Sequence, residues 1–177
     1  MLALFETLFD IIRLRKGPDA IPYSPVVFSM VMALWLTAGL VMTIMTPELG
    51  RHDFLIGTFT GLSGLGCYAA IVMLTGNQPR LLQTVTAILG CGAVLSLLFV
   101  AANVFLSPFL SKNITSLVAT LILLWSIPVE GHIIARAINR HWYVGIVAAM
   151  AVFMIQLFLY ALVDPTERQA VTAEAVE

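Results

Sequence analysis

The stretch NITSLVATLILLWSIPVEGHIIARAINRH, residues 113–141, decides the fold. Its first 17 residues, Asn113 to Val129, carry no charge, and Glu130 then interrupts the run. A helix needs about 20 apolar residues to cross the hydrocarbon. The run is therefore a span only if Glu130 is accepted inside it and the helix ends near Arg136. Accepted, the chain crosses five times; refused, it crosses four and the carboxyl end changes side. We read it as a span. Glu130 then lies six residues inward of Arg136, about 9 Å at 1.5 Å per residue. At that depth a carboxyl group can be protonated, reach toward headgroups or pair with a cation.

The rest of the chain supports this reading. Four further runs lack any charge: Ala20–Pro47, Phe54–Pro79, Leu81–Ser111 and His141–Val163, of 28, 26, 31 and 23 residues. Each exceeds the spanning length. Hydrophobic residues make up 60% of the 177 positions and charged residues 11%, against about a quarter charged in soluble domains. The expected fold is all-α, a polytopic membrane helix bundle with spans at about 25–45, 54–74, 81–106, 114–136 and 142–162. These fill a domain over 18–163 and leave no room for a second one. The net charge of −1 gives no basic stripe for nucleic acid. An acidic, Ala-rich tail at 164–177 is expected to be disordered.

The amino end, residues 1–17, has a different pattern. Wound as a helix, Phe5, Leu8, Phe9 and Ile12 share one face, and Glu6, Asp10 and Arg13 the other. That suits an amphipathic helix lying in the membrane interface, with the four apolar residues as anchors. A helix packed on the protein's own loops is the rival reading. The basic cluster follows the acids, so the stretch does not read as a signal peptide. Gly17-Pro18 and two further prolines separate it from the first span.

Lysines and arginines set the orientation. With the amino end inside, Arg13, Arg15, Lys16, Arg80, Arg136 and Arg140 are cytoplasmic, and Arg51, Lys112 and Arg168 are external. The positive-inside rule then predicts the amino end in and the carboxyl end out.

Few polar residues fall within the spans. Glu130 and His132 are two apart and point to nearly opposite sides of their helix, so they form no dyad. A partner for Glu130 must come from another span, and depth favours Arg80 and Gln83. With His132 and Arg136 these make a candidate intramembrane polar site. Pro128 removes a backbone bond, so residues 124–131 are expected to face other helices. Gly57, Gly61 and Gly64 have the spacing of close helix packing. Asn103 and Gln156 are placed to bond between the third and fifth spans. Cys67 and Cys91 read as small apolar fillers, and the scattered histidines suggest no metal. No catalytic or cofactor signature occurs.

The stretch WSIPVEGHIIARAINRHWYVG, residues 125–145, together with a short amino segment and five closely spaced spans, resembles bacterial members of the Yip membrane protein family. Trp125, Gly131, Ala135, Arg136, Ala137 and Gly145 carry the likeness. Eukaryotic relatives have an acidic-Leu-Tyr-Gly-Pro motif before the first span, where this chain has GPDAIPYSP at 17–25, so binding of small GTPases is not implied. The resemblance implies an all-helical, non-enzymatic protein that organises other proteins or lipids. The polar inventory agrees with an adaptor, scaffold or assembly factor whose partners are the lipid bilayer and a membrane protein or a second copy of itself. The alternative is a small transporter or channel subunit with Glu130 as its proton- or ion-coupling group, although a conduction path needs polar groups at several depths.

Overall fold

The structure, a computed structural model, describes residues 2–46, 50–106, 109 and 111–163. The acidic tail at 164–177 lies outside the described residues. Among those described, every regular element is helical: α1 Leu2–Ile12, α2 Pro25–Met45, α3 Arg51–Leu74, α4 Leu81–Leu106, α5 Lys112–Ala137 and α6 Trp142–Val163, with 3-10 turns at Pro18–Ala20 and Gln78–Arg80. The five helices α2 to α6 are each long and apolar enough to cross a bilayer. This is a multi-pass membrane protein. Its perimeter is apolar as lipid requires: Leu40, Leu121, Val147, Met150 and Phe158 are all exposed, a patchwork far beyond what a soluble monomer shows to water.

The ends of the helices follow from local chemistry. Pro25 opens α2 after an extended Ser24, where its missing N–H is no loss. At α3 the Asp53 carboxylate reaches back to accept the backbone N–H of Gly50 at 2.7 Å. Three helices close in the same way. Leu14, Gly76 and Asn139 have φ of 61°, 76° and 52°, and the pairs Arg15→Asp10 and Leu14→Ile11, Asn77→Val72 and Gly76→Met73, Arg140→Ala135 and Asn139→Arg136 join N–H to C=O. This is the Schellman arrangement, which satisfies carbonyls that a helix end otherwise leaves open. All three ends lie at one end of the bundle, together with Arg13, Arg15, Lys16, Arg80, Arg136 and Arg140. We call it the basic end.

Helix α4 is the hub. It packs on α2, α3 and α5, and residues from Thr84 to Leu95 are almost continuously buried. Helix α6 packs on α5 and α3. Its crossing with α5 is close: a Cβ at Gly145 would collide with the Gly131 carbonyl oxygen and with Ala135. Hydrocarbon offers helices no hydrophobic incentive to associate, so contact of this kind between small residues carries the packing. The glycines singled out on α3 behave differently from one another. Gly64 is buried against the Gln156 side chain and Gly61 against Trp35, whereas nothing lies near Gly57. Gly57 is exposed and thus not a packing position, although Ile56 and Thr60 beside it are buried. Helix α5 runs through Pro128. Val129 and Gly131 face other helices, but Leu124 and Trp125 stay on the perimeter; the expectation that all of 124–131 would be covered fails at its outer turn.

Helix α1 does not lie flat with four anchors in lipid. Leu8, Ile11 and Ile12 are buried in the bundle's core, with Leu4 packed against it. Phe5 and Phe9 remain exposed. The buried stripe is rotated toward Leu4 and Ile11, which the 5–8–9–12 grouping left out. Leu8 fits where Gly90 of α4 has no side chain; a Cβ there would come within 2.7 Å of it. Cys91 lies about 15 Å along α4 from Leu81 at 1.5 Å per residue, and its thiol approaches the Leu8 carbonyl at 4.0 Å. Helix α1 therefore packs beside the spans.

Candidate functional site: the docked amino segment and the Glu130 pair

The polar side chains of the spans divide into two groups, and the division follows helix geometry. On one side of α5 the donors face the amino segment. The Trp125 indole N–H donates to the Ile12 carbonyl at 3.2 Å, the one carbonyl of the last α1 turn that the Schellman bonds leave open. About two turns of α5 nearer the basic end, His132 Nε2 meets the Lys16 carbonyl at 3.2 Å. A carbonyl only accepts, so this bond puts the ring proton on Nε2. From α4, Gln83 Nε2 donates to the Ile21 carbonyl at 2.6 Å. Three side chains from two spans thus bind three carbonyls of the amino segment, one at the end of α1 and two in the connector to α2. Gly17 is buried against the stem of Arg136, and Arg80 Nη1 donates to the Arg136 carbonyl at 3.1 Å and to Asn139 Oδ1 at 3.0 Å. Beside them Lys16 pairs with Asp10 at 2.8 Å. That hydrogen bond, with the Lys16, Arg15 and Arg13 charges, holds the Asp10 carboxyl below its ordinary range.

Glu130 belongs to the other group. Its Oε2 accepts the Tyr68 hydroxyl of α3 at 2.6 Å. Arg80 was the expected partner, and among the described residues no cation lies within ion-pair distance of this carboxyl group. Arg80 sits at the right end of the bundle but closes the loop after α5. Gln83 is turned toward the connector. The expected cluster of Glu130, Arg80, Gln83, His132 and Arg136 is therefore two separate constructions. Glu130 is joined by Tyr68, a residue the sequence reading missed. The signal was there: a tyrosine far from either aromatic belt needs a partner for its hydroxyl.

A third polar region lies in the opposite half. A cavity of about 430 Å³ runs between α2, α3 and α6, with Trp35, Phe54 and Leu123 among its walls and Asp53, Thr43 and Gln156 among its polar groups. Gln156 donates from its amide to the Thr60 carbonyl of α3 at 3.3 Å, while Asn103 bonds back to Phe99 in its own helix at 3.0 Å. The expected bond between the third and fifth spans is replaced by one between α3 and α6, the helices that are neighbours. Among the described residues no three His, Cys, Asp or Glu side chains gather into a metal-binding group.

Compared with protein-family models, with curated proteins and with solved structures, the chain matches none.

Proposed function

We propose that this is a non-enzymatic adaptor or assembly factor of the bacterial inner membrane, with its basic end in the cytoplasm, working on other membrane proteins or on lipids. The observation that carries the reading is the use of Trp125, His132 and Gln83. These in-span donors hold the amino segment at the carbonyls of Ile12, Lys16 and Ile21. Groups available to line a path through the bundle instead fix a platform against its basic half. That platform presents Phe5 and Phe9 to the outside, in the same segment as Arg13 and Arg15, a combination of aromatic and basic groups suited to a membrane-level partner. Six lysines and arginines at the basic end, against Arg51 and Lys112 elsewhere among the described residues, agree with the orientation. The resemblance to bacterial Yip proteins points the same way.

The test is site-specific photocross-linking in living cells from positions 5 and 9, with position 62 on α3 as an exposed control. The adaptor reading expects a protein adduct of defined mass, or enrichment of one lipid class, at 5 and 9 and not at 62. Indistinguishable adducts at all three positions would overturn it.

Glu130 favours a second reading. Acids within the membrane are functional by default, and among the described residues this one is held by the Tyr68 hydroxyl with no cation beside it. A small transporter or channel subunit would use it as the coupling group. Glu130→Gln separates the two readings: as a packing residue it leaves the cellular phenotype intact, while as a coupling group it abolishes function at unchanged abundance and melting temperature.

A further inference from the structure

The cavity between α2, α3 and α6 stands apart from both the docked segment and the Glu130 pair, and its argument does not depend on the adaptor reading. Its volume of about 430 Å³ falls within the roughly 300–1,000 Å³ of small-molecule sites. It begins at the end of the bundle opposite the basic end, where Asp53 sits in the first turn of α3, and runs inward past Gly57 to Gly61. That is about 12 Å of helix at 1.5 Å per residue. Two of its lining residues, Leu36 and Leu123, are exposed on the perimeter, so the space opens sideways to the level where acyl chains stand. Inside, the walls are Trp35, Phe54 and Leu123. Among the described residues, the carboxylate at the mouth is Asp53, fixed in place by its bond to Gly50.

We propose that this cavity holds one acyl chain of a membrane phospholipid whose headgroup carries a primary ammonium. Apolar walls of this size stay dry and accept hydrocarbon. The Asp53 carboxylate selects the headgroup, since its Oδ2 takes the Gly50 N–H and the group as a whole offers negative charge to an ammonium donor. A phosphatidylglycerol headgroup brings only hydroxyls and a net negative charge to the same point.

Gly57 provides a clean test, because it lines the cavity and a Cβ on it meets nothing within 4 Å. Gly57→Leu adds bulk at this lining position, from a Cβ that meets no neighbour. Gly66 is equally open but lies outside the cavity, so Gly66→Leu is the control on the same helix. The protein is reconstituted into vesicles of phosphatidylethanolamine and phosphatidylglycerol in equal parts, with a trace of either lipid bearing a diazirine on its acyl chain. After irradiation, labelled peptides are mapped by mass spectrometry. Labelling of Phe54 and Met42 by the ethanolamine probe is expected to exceed that by the glycerol probe. It should fall about tenfold, or 1.4 kcal/mol of occupancy, in Gly57→Leu and not in Gly66→Leu. Thr43→Leu, on the opposite wall, should repeat the loss should Gly57→Leu prove unstable. Asp53→Asn keeps an acceptor for Gly50 and removes the charge, so it should keep chain labelling and abolish the preference. Labelling of Phe54 that survives both filling substitutions overturns the site. Equal labelling by the two probes in the unaltered protein overturns the headgroup assignment.

Discussion

The two halves of this bundle treat their polar side chains in opposite ways. In the half nearer the basic end, donors on α4 and α5 each meet a carbonyl of the amino segment, and Leu8, Ile11 and Ile12 fill the space between the helices. In the other half, Asp53, Thr43 and Gln156 line an open cavity. Among the described residues, the helices are closed over at one end and leave a space at the other. The amino segment closes the first end with its own side chains. The lesson is that polar residues in a span need not mark a route. Here several are the anchoring points of a short peripheral helix.

The contrast is most easily broken with one substitution made in each half. Gly145→Leu drives a side chain into the Gly131 carbonyl at the α5–α6 crossing and is expected to cost more than about 4 kcal/mol, enough to lose the fold. Gly57→Leu, in the open half, should instead gain up to about 1 kcal/mol from helix propensity. Thermal unfolding in detergent reads both, and similar melting temperatures for the two variants would erase the distinction between the halves. A smaller effect sharpens it. Leu8→Ala empties the notch at Gly90 and should cost about 2 kcal/mol, the low end for a buried leucine, since lipid can reach into part of the space. Hydrogen exchange would show residues 2–21 opening while α2 to α6 keep their protection. Uniform loss of protection would mean that α1 is an integral part of the five-helix core.

The smallest effect concerns Asp10. Its carboxyl lies below its ordinary range because Lys16 donates to it, with the Lys16, Arg15 and Arg13 charges adding to the effect. A lowered folded value means that the pair contributes above the ordinary carboxylate range and is lost as pH falls through the lowered value. The pair is solvent-exposed, so Asp10→Asn should leave the melting temperature unchanged within error near neutrality. Exchange in the α1 turn should rise slightly near neutrality and converge with the unaltered protein in acid. A difference that grows on acidification would reverse the sign.

Much of the fold was legible and much of the site was not, for reasons visible in single residues. Charge-free runs report span length directly, and even the run broken at Glu130 proved long enough because helix continues past it to Ala137. Opposite pointing of Glu130 and His132 followed from helical spacing, and the two do face different neighbours. Partners could not be read in this way. Ile12 and Trp125 are 113 positions apart, and nothing local marks a backbone carbonyl as the target of an indole. Depth alone nominated Arg80 for Glu130, yet depth cannot say which way a side chain turns around its helix. On α1 the two phenylalanines drew attention as the larger apolar groups. The buried stripe instead runs through Leu4, Leu8 and Ile11, smaller side chains that fit against α4.

The central claim is that donors within the spans hold the amino segment, and the bond from Trp125 to Ile12 states it most directly. Solid-state NMR in bilayers can detect it, using indole-¹⁵N tryptophan and carbonyl-¹³C isoleucine labels and reading the dipolar dephasing of the indole nitrogens. The account predicts that, of Trp35, Trp125 and Trp142, the Trp125 resonance is dephased by a carbonyl at hydrogen-bond range, consistent with the 3.2 Å N···O separation. The signal should vanish in Ile12→Val, which keeps the shape of the site and removes the label, and in Trp125→Phe. A Trp125 resonance that shows no dephasing, or dephasing that survives Ile12→Val, would contradict the account.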